Sequence, residues 1–266
     1  MTYVPKLPER NDNVSPDHPL VDLAWLLGAT TLILFGLWWA LGLTVDYAVE
    51  RLPADFEQSL ALKMEGPPPA REPGPRAAIA QSVLARLDAQ SPQSAYRFQL
   101  SVADGGMINA FALPGGRIVL MKGLLDAARS ENELAMVLAH ELGHYAHRDH
   151  LRAMGRGLVL SALAAVFLGS DSNVTELLMG SMSLAHARHS RRQETAADLY
   201  GLELLQKTYG HVGGAATFFE RALKDQAYAI GWLQTHPLSV ERAERLRIEA
   251  QRRGWREDKV IPLPAP

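Results

Sequence analysis

The chain has 266 residues, enough for one large domain or two small ones, and its 47% apolar and 21% charged content is close to ordinary globular values. A net charge of −2 gives no electrostatic case for a nucleic-acid partner. The absence of cysteine excludes disulfides and thiolate metal sites, so any metal must sit on histidine and carboxylate.

Residues 1–22 are polar and punctuated by Pro5, Pro8, Pro16 and Pro19, as in an extended tail. From Leu23 to Val45 the chain carries no charge, and these 23 residues suffice for a helix across a hydrocarbon core of about 30 Å. Trp25 near its start and Trp38 and Trp39 toward its end suit the membrane interfaces. A signal peptide fits less well, because the segment starts late, is long and lacks a small-x-small site after it. The expectation is one membrane anchor at 23–45, in contact with lipid. The basic residues nearly balance, Lys6 and Arg10 against Arg51 and Lys63, and lean toward a cytoplasmic N-terminus. That orientation puts the large domain outside the cytoplasm, on the periplasmic side of a bacterial inner membrane.

Residues 46–76 form a juxtamembrane segment and a proline-rich linker, irregular over 64–76. Ile79, Val83, Leu84 and Leu87 predict a helix over 77–90. Tyr96–Val102 alternates like a half-buried strand, Asp104-Gly105-Gly106 turns the chain, Ile108–Leu113 is a second strand, Pro114-Gly115-Gly116 turns again, and Arg117–Met121 is a third. A short helical lead-in follows over 124–129. The expected sheet is small and antiparallel, packed on the next helix.

That helix carries the main signal. Ser130 and Glu133 form a capping box, and Leu134, Val137, Leu138 and Leu142 recur at spacings of three and four, the stripe of a helix with one buried face. On it lies His140-Glu141-Leu142-Gly143-His144, an H-E-x-x-H motif. Positions i and i+4 share a helix face, so His140 and His144 can aim at one point and hold a zinc ion, with Glu141 beside it as general base. Downstream, the apolar run Gly157–Gly169 is short for a spanning helix and reads as buried or membrane-resting. A polar break at 170–175, helices over about 175–188, 194–208, 212–228 and 238–253, and a proline-rich tail at 256–266 complete the chain. A catalytic zinc site wants a third protein ligand. Glu194 opens a helix with Asp198 four residues later; spacing alone leaves Glu194 open between a ligand and an acid favoured by the helix dipole.

Four blocks in order resemble the M48 family of membrane-associated metallopeptidases: Asn109-Ala110-Phe111-Ala112-Leu113-Pro114-Gly115-Gly116, the run Glu131–His150, Ser190-Arg191-Arg192-Gln193-Glu194-Thr195-Ala196-Ala197-Asp198, and Thr235-His236-Pro237 with Arg242 and Arg245 after it. The resemblance covers roughly 77–250 and implies a mainly α, α+β zincin (gluzincin-like) domain, placed at 77–255. It also implies His140, His144 and Glu194 as ligands of one zinc, Glu141 as base, Asp198 orienting a ligand histidine, and His236 near the metal. There His236 would stabilise the oxyanion or close the open site in a latent state. His147 and His150 read as surface or supporting residues, and His186, His189 and His211 as structural. The strand residues Asn109, Ala110, Phe111 and Ala112 would take an unfolded substrate by main-chain pairing. The expected function is a membrane-anchored zinc endopeptidase acting on misfolded or membrane-proximal proteins. The alternative is a tethered chaperone or assembly factor with a latent or structural zinc.

Overall fold

The computed structural model describes residues 18–61, 72, 74–92, 96–168, 189–224, 231–236 and 240–265. The expected tail over 1–17, most of the linker at 64–76, the polar break at 170–175, the helix at 175–188 and Pro237 lie outside these residues. The elements are α1 (Pro19–Arg51), α2 (Ala54–Ala61), α3 (Pro75–Gln90), β1 (Gln99–Ala103), β2 (Ala110–Leu113), β3 (Arg117–Met121), α4 (Lys122–Ala127), α5 (Glu131–Ala146), α6 (Asp149–Leu168), α7 (Arg191–Tyr209), α8 (Ala215–Lys224), α9 (Trp232–Thr235) and α10 (Val240–Arg252). The architecture is mainly helical with one small sheet, as the sequence implies.

α1 is long and apolar enough to cross a membrane, and none of the residues in its apolar window is buried among the described residues. Only its last turns are covered, where Val45 and Val49 pack on Leu151 of α6. Arg148 closes this end of α1 by donating to the carbonyls of Val49 and Leu52 at 2.8 and 2.6 Å. It does so from a left-handed backbone conformation, φ 54°. α2 has no counterpart in the sequence reading. Its Glu57 is buried and accepts from His150 Nε2 at 2.8 Å, Tyr96 Oη at 2.6 Å and the Gly115 amide at 3.0 Å. Burial opposes the charge on Glu57, but those partners outweigh it and hold its carboxyl below the usual range.

The sheet corrects one expectation. It is mixed, not antiparallel: β1 lies parallel to β3, β2 antiparallel to β3, in the order β1-β3-β2. Gly115 and Gly116, both at φ 81°, make the tight turn that joins β2 to β3 as a hairpin. Asp104–Gly106 does not make a second one. It begins a crossing to the far edge, tied down where the Gly123 amide donates to the Gly105 carbonyl at 2.9 Å and Met121 to Asn109 at 3.0 Å.

α5 forms the centre of the domain. Ser130 caps it, its hydroxyl accepting from the Glu133 amide at 3.2 Å. The reciprocal half of the box is absent, because the Glu133 carboxylate takes the Arg129 amide at 2.9 Å and Arg221 at 2.6 Å instead. The helix does not have one buried face; every residue from Asn132 to Tyr145 is buried. α3, β2, α7 and α8 surround it. Such a helix must be apolar nearly all round, and its polar residues must be partnered. α7 starts at Arg191, three residues before expectation, because Ser190 and Gln193 form a complete capping box. The final residues are built in: the Glu131 amide donates to the Ile261 carbonyl at 2.8 Å, and Ile261 donates to Asn132 Oδ1 at 2.9 Å.

α5 and α7 approach closely at Gly143, where a Cβ would come within 2.8 Å of Ala197 Cα and 3.0 Å of its carbonyl oxygen. Gly143→Ala is therefore expected to force the helices apart at a cost of about 1–3 kcal/mol, the usual range for overpacking. A thermal melt indistinguishable from that of the parent chain would refute it.

Candidate metal centre

α5 supplies His140, Glu141 and His144, and α7 supplies Glu194 and Asp198. The turn after α9 supplies His236. The three histidines and both acids of α7 are at most 1% exposed, and Glu141 likewise. One donor atom from each of His140, His144, Glu194 and His236 falls within a 4.8 Å sphere of mutual separation, a group able to hold a metal ion.

The tautomers decide what the group is for. Burial opposes ionisation of Asp149, but His144 and Gln193 outweigh it and hold Asp149 low. Burial likewise opposes Asp198, and Arg242 and His140 overcome it. Facing ionised carboxylates, the outer imidazole nitrogens carry the protons. His144 Nδ1 donates to Asp149 Oδ2 at 2.8 Å, and His140 Nδ1 lies 2.9 Å from Asp198 Oδ1, somewhat off the ideal hydrogen-bond line. Both Nε2 lone pairs then point at each other across 3.1 Å. Two lone pairs so placed need a cation between or beside them. Without a metal that cation is a proton: burial resists it, yet Asp149, Glu194 and Glu141 push His144 up to about 10.

The spacing also fits zinc. Ligands at about 2.0–2.1 Å in a tetrahedron lie about 3.3 Å apart. The separations here are 3.1 Å between the two Nε2 atoms, 3.5 and 3.6 Å from them to the Glu194 oxygens, 3.2 Å from His140 Nε2 to His236 Nδ1, and 3.1 Å from His236 Nδ1 to Glu194 Oε1. Burial would raise the Glu194 carboxyl, but His236, His144 and His140 outweigh that and hold it well below the glutamate range. Among the described residues Glu141 Oε1 is buried without a hydrogen-bond partner, 3.5 Å from His236 Nε2. His236 Nδ1 thus lies within ligand spacing of two members of the group, its ring stacked on Trp232 with centroids 4.1 Å apart.

Three neighbours carry roles that the sequence reading did not give them. Asp149, five residues after His144 and across a helix break, shares no helical face with it, so no periodicity marks it. Asp149→Ala is expected to weaken metal binding about 10- to 100-fold, the usual loss when a ligand histidine loses its orienting partner; an unchanged affinity in a competitive chelator titration would refute this. His189, expected to be structural, stacks on His144 with centroids 3.8 Å apart and also faces His236. Arg242 reaches Glu194 Oε2 at 2.5 Å and Asp198 at 2.7 and 2.8 Å. Of the other histidines, His147 is exposed and bonds the Gly143 carbonyl, while His150 is buried on Glu57.

The strand order leaves β2 at an edge beside this group. Phe111 and Ala112 line a small cavity with His144, His189, Thr235 and His236. Because Asn109 pairs with Met121 through its carbonyl, the main-chain groups of Ala110 and Ala112 point away from β3. Asn109 Oδ1 already takes the Ala110 amide at 2.9 Å and faces Thr235 Oγ1 at 3.3 Å.

A profile of peptidase family M48 matches residues 73–250. The chain is similar to the mitochondrial metalloendopeptidase OMA1 of Schizosaccharomyces pombe, 32% identical over 170 residues, which are 62% of this chain and 50% of that protein. It is 32% identical over 148 residues to the metalloprotease LoiP of Escherichia coli, covering 53% of this chain and 58% of LoiP. With the beta-barrel assembly-enhancing protease of Escherichia coli the identity is 31% over 159 residues, 54% of this chain and 33% of that protein. The chain therefore spans between a third and three-fifths of the length of these relatives.

Proposed function

The chain belongs to peptidase family M48, and from that premise we propose that it is a zinc endopeptidase held at a membrane by α1. Its substrates are misfolded or membrane-proximal proteins. The observation that carries this reading is the buried set of His140, His144 and Glu194 converging beside the unpartnered Glu141 carboxylate oxygen.

In this reading His140 Nε2, His144 Nε2 and Glu194 hold zinc, while Asp198 and Asp149 fix the imidazole tautomers. A zinc ion there supplies Lewis-acid chemistry, lowering the pKa of water and polarising a peptide carbonyl. Glu141 takes the proton from the attacking water on its free carboxylate oxygen and returns it to the departing amine. β2 takes the substrate backbone; with the Ala110 amide already satisfied, the outward N–H and C=O of Ala112 provide the pairing. Full-length protein in detergent should degrade unfolded casein, lose that activity to a zinc chelator and regain it with added zinc. Failure of zinc to restore cleavage would refute the assignment of the metal.

One observation favours a latent resting state: His236 Nδ1 stands within ligand spacing of both His140 Nε2 and Glu194 Oε1. A structural zinc site is closed, whereas a catalytic one keeps a position for water. His236 is then a latch that must withdraw before substrate binds, and the tethered chaperone is the same molecule with the latch shut. His236→Ala should raise casein cleavage severalfold with bound zinc unchanged. Loss of cleavage with zinc retained would instead make His236 an oxyanion stabiliser.

In the same reading the peptidase domain lies outside the cytoplasm, supported by the basic residues that flank α1. A C-terminal alkaline phosphatase fusion should be active in cells, and a fluorescent protein at the same site should be bright if this orientation is wrong.

A further inference from the structure

We infer that the apolar half of α6, Gly157–Leu168, is embedded in the hydrocarbon beside α1, as a second membrane segment that enters the bilayer without crossing it. The inference rests on α1 being a membrane anchor. α6 runs back along α1 from the point where Arg148 closes the end of that helix. Leu151 lies against Val49, Gly155 against Val45, and Val159 shares a hollow with Trp38, Trp39, Gly42 and Leu43. A Cβ at Gly155 would come within 2.6 Å of Val45, so the two helices touch by way of this glycine.

The charges lie at one level. Arg156 reaches Asp46 at 2.8 Å, and Arg152 reaches Glu50 at 3.2 Å. Beyond Arg156, α6 has no further charge through Leu168, and before Asp46, α1 has none back to Leu23. The two charge-free stretches therefore start at the same collar and run in the same direction. Leu158 and Leu160 are 54% and 42% exposed, and Trp39 and Leu43 at the same level of α1 are 58% and 50% exposed. Apolar surface continuous with that of a spanning helix, and bounded by a charged rim on one side, matches lipid. At a rise of 1.5 Å per residue, Gly157–Leu168 reaches about 18 Å, just over half of a core of about 30 Å. The first residue of the same helix is Asp149, the acceptor of His144 Nδ1. The metal group is thereby held by a helix whose other end lies in lipid.

The absence of cysteine makes the test direct. Leu158→Cys and Leu160→Cys would each carry a small environment-sensitive fluorophore in the full-length chain, reconstituted in phosphatidylcholine–phosphatidylglycerol vesicles. Leu32→Cys on α1 and Ile248→Cys, exposed on α10, serve as references. Lipids brominated on their acyl chains should quench positions 158, 160 and 32 severalfold more than 248, and aqueous iodide should show the reverse order. Iodide quenching at 158 and 160, with position 32 quenched by bromolipid, would place α6 in water and overturn the inference alone. Resistance to both quenchers would show cover by protein, from another part of this chain or a second copy, and overturn it too. If bromolipid fails at position 32, the anchor itself is refuted. None of these readouts depends on peptidase activity, so the catalytic reading stands or falls separately.

Discussion

Glu141→Gln is expected to abolish cleavage of an unfolded substrate while leaving the metal in place. The side chain is 1% exposed, one of its oxygens has no hydrogen-bond partner, and it makes none of the close donor contacts that gather His140, His144 and Glu194. The amide has the same shape and loses only the capacity to accept a proton and hand it on. General acid–base catalysis contributes about 10²- to 10⁴-fold, so casein turnover should fall by about that factor. Bound zinc, measured by mass spectrometry of the purified protein, should not change. Undiminished turnover would sink the proton-transfer role, and loss of zinc would show that Glu141 is part of the binding group.

The second large effect is on stability. Arg242 is 3% exposed and is shared between Glu194 and Asp198, with its guanidinium carbon 4.6 Å from the centroid of the Phe219 ring. Arg242→Met keeps most of the packing volume and leaves two buried carboxylates short of a counter-charge. Breaking such a pair from one side costs about 3–5 kcal/mol. A bound cation offsets part of the charge on Glu194, so the loss should be larger after chelator treatment than with zinc bound. Denaturant melts in detergent, with and without metal, measure both quantities. Equal losses in the two states would show that Arg242 serves Asp198 alone.

The sequence made the helix α5 legible because three signals coincided: a cap at Ser130, an apolar spacing and two histidines four apart. What it could not show was that α5 is enclosed on every side, since the stripe of Leu134, Val137, Leu138 and Leu142 looks the same whether or not Ala135, Ala139 and Gly143 are also covered. Small residues mark close approach only once a neighbour such as Ala197 is known. The order of the sheet is hidden for a related reason. Asp104-Gly105-Gly106 and Pro114-Gly115-Gly116 look alike as turns, and the choice between a hairpin and a crossing was made by contacts with α4, far from either strand's own pattern. Glu194 and Asp198 were visible as a pair, and their convergence with His140 and His236 follows from tertiary contacts. The contacts of Asp149, His189 and Glu57 leave no mark in the sequence because their partners lie across a helix break or tens of residues away.

The strap of final residues across the start of α5 has a consequence for the order of events in synthesis. Ser130 bridges to Pro262, and Glu131 and Asn132 bond Ile261, more than a hundred residues later in the chain. His236 and Arg242 reach the metal group from nearly as far. Contacts of such separation form late. As the proposed anchor, α1 leaves the ribosome before α5 and can be engaged by the membrane while the helix bearing His140 and His144 still lacks its flanks. On the proposed function, a growing chain is thus tethered before it is competent to cut, and nascent neighbours at the same membrane meet only the completed domain.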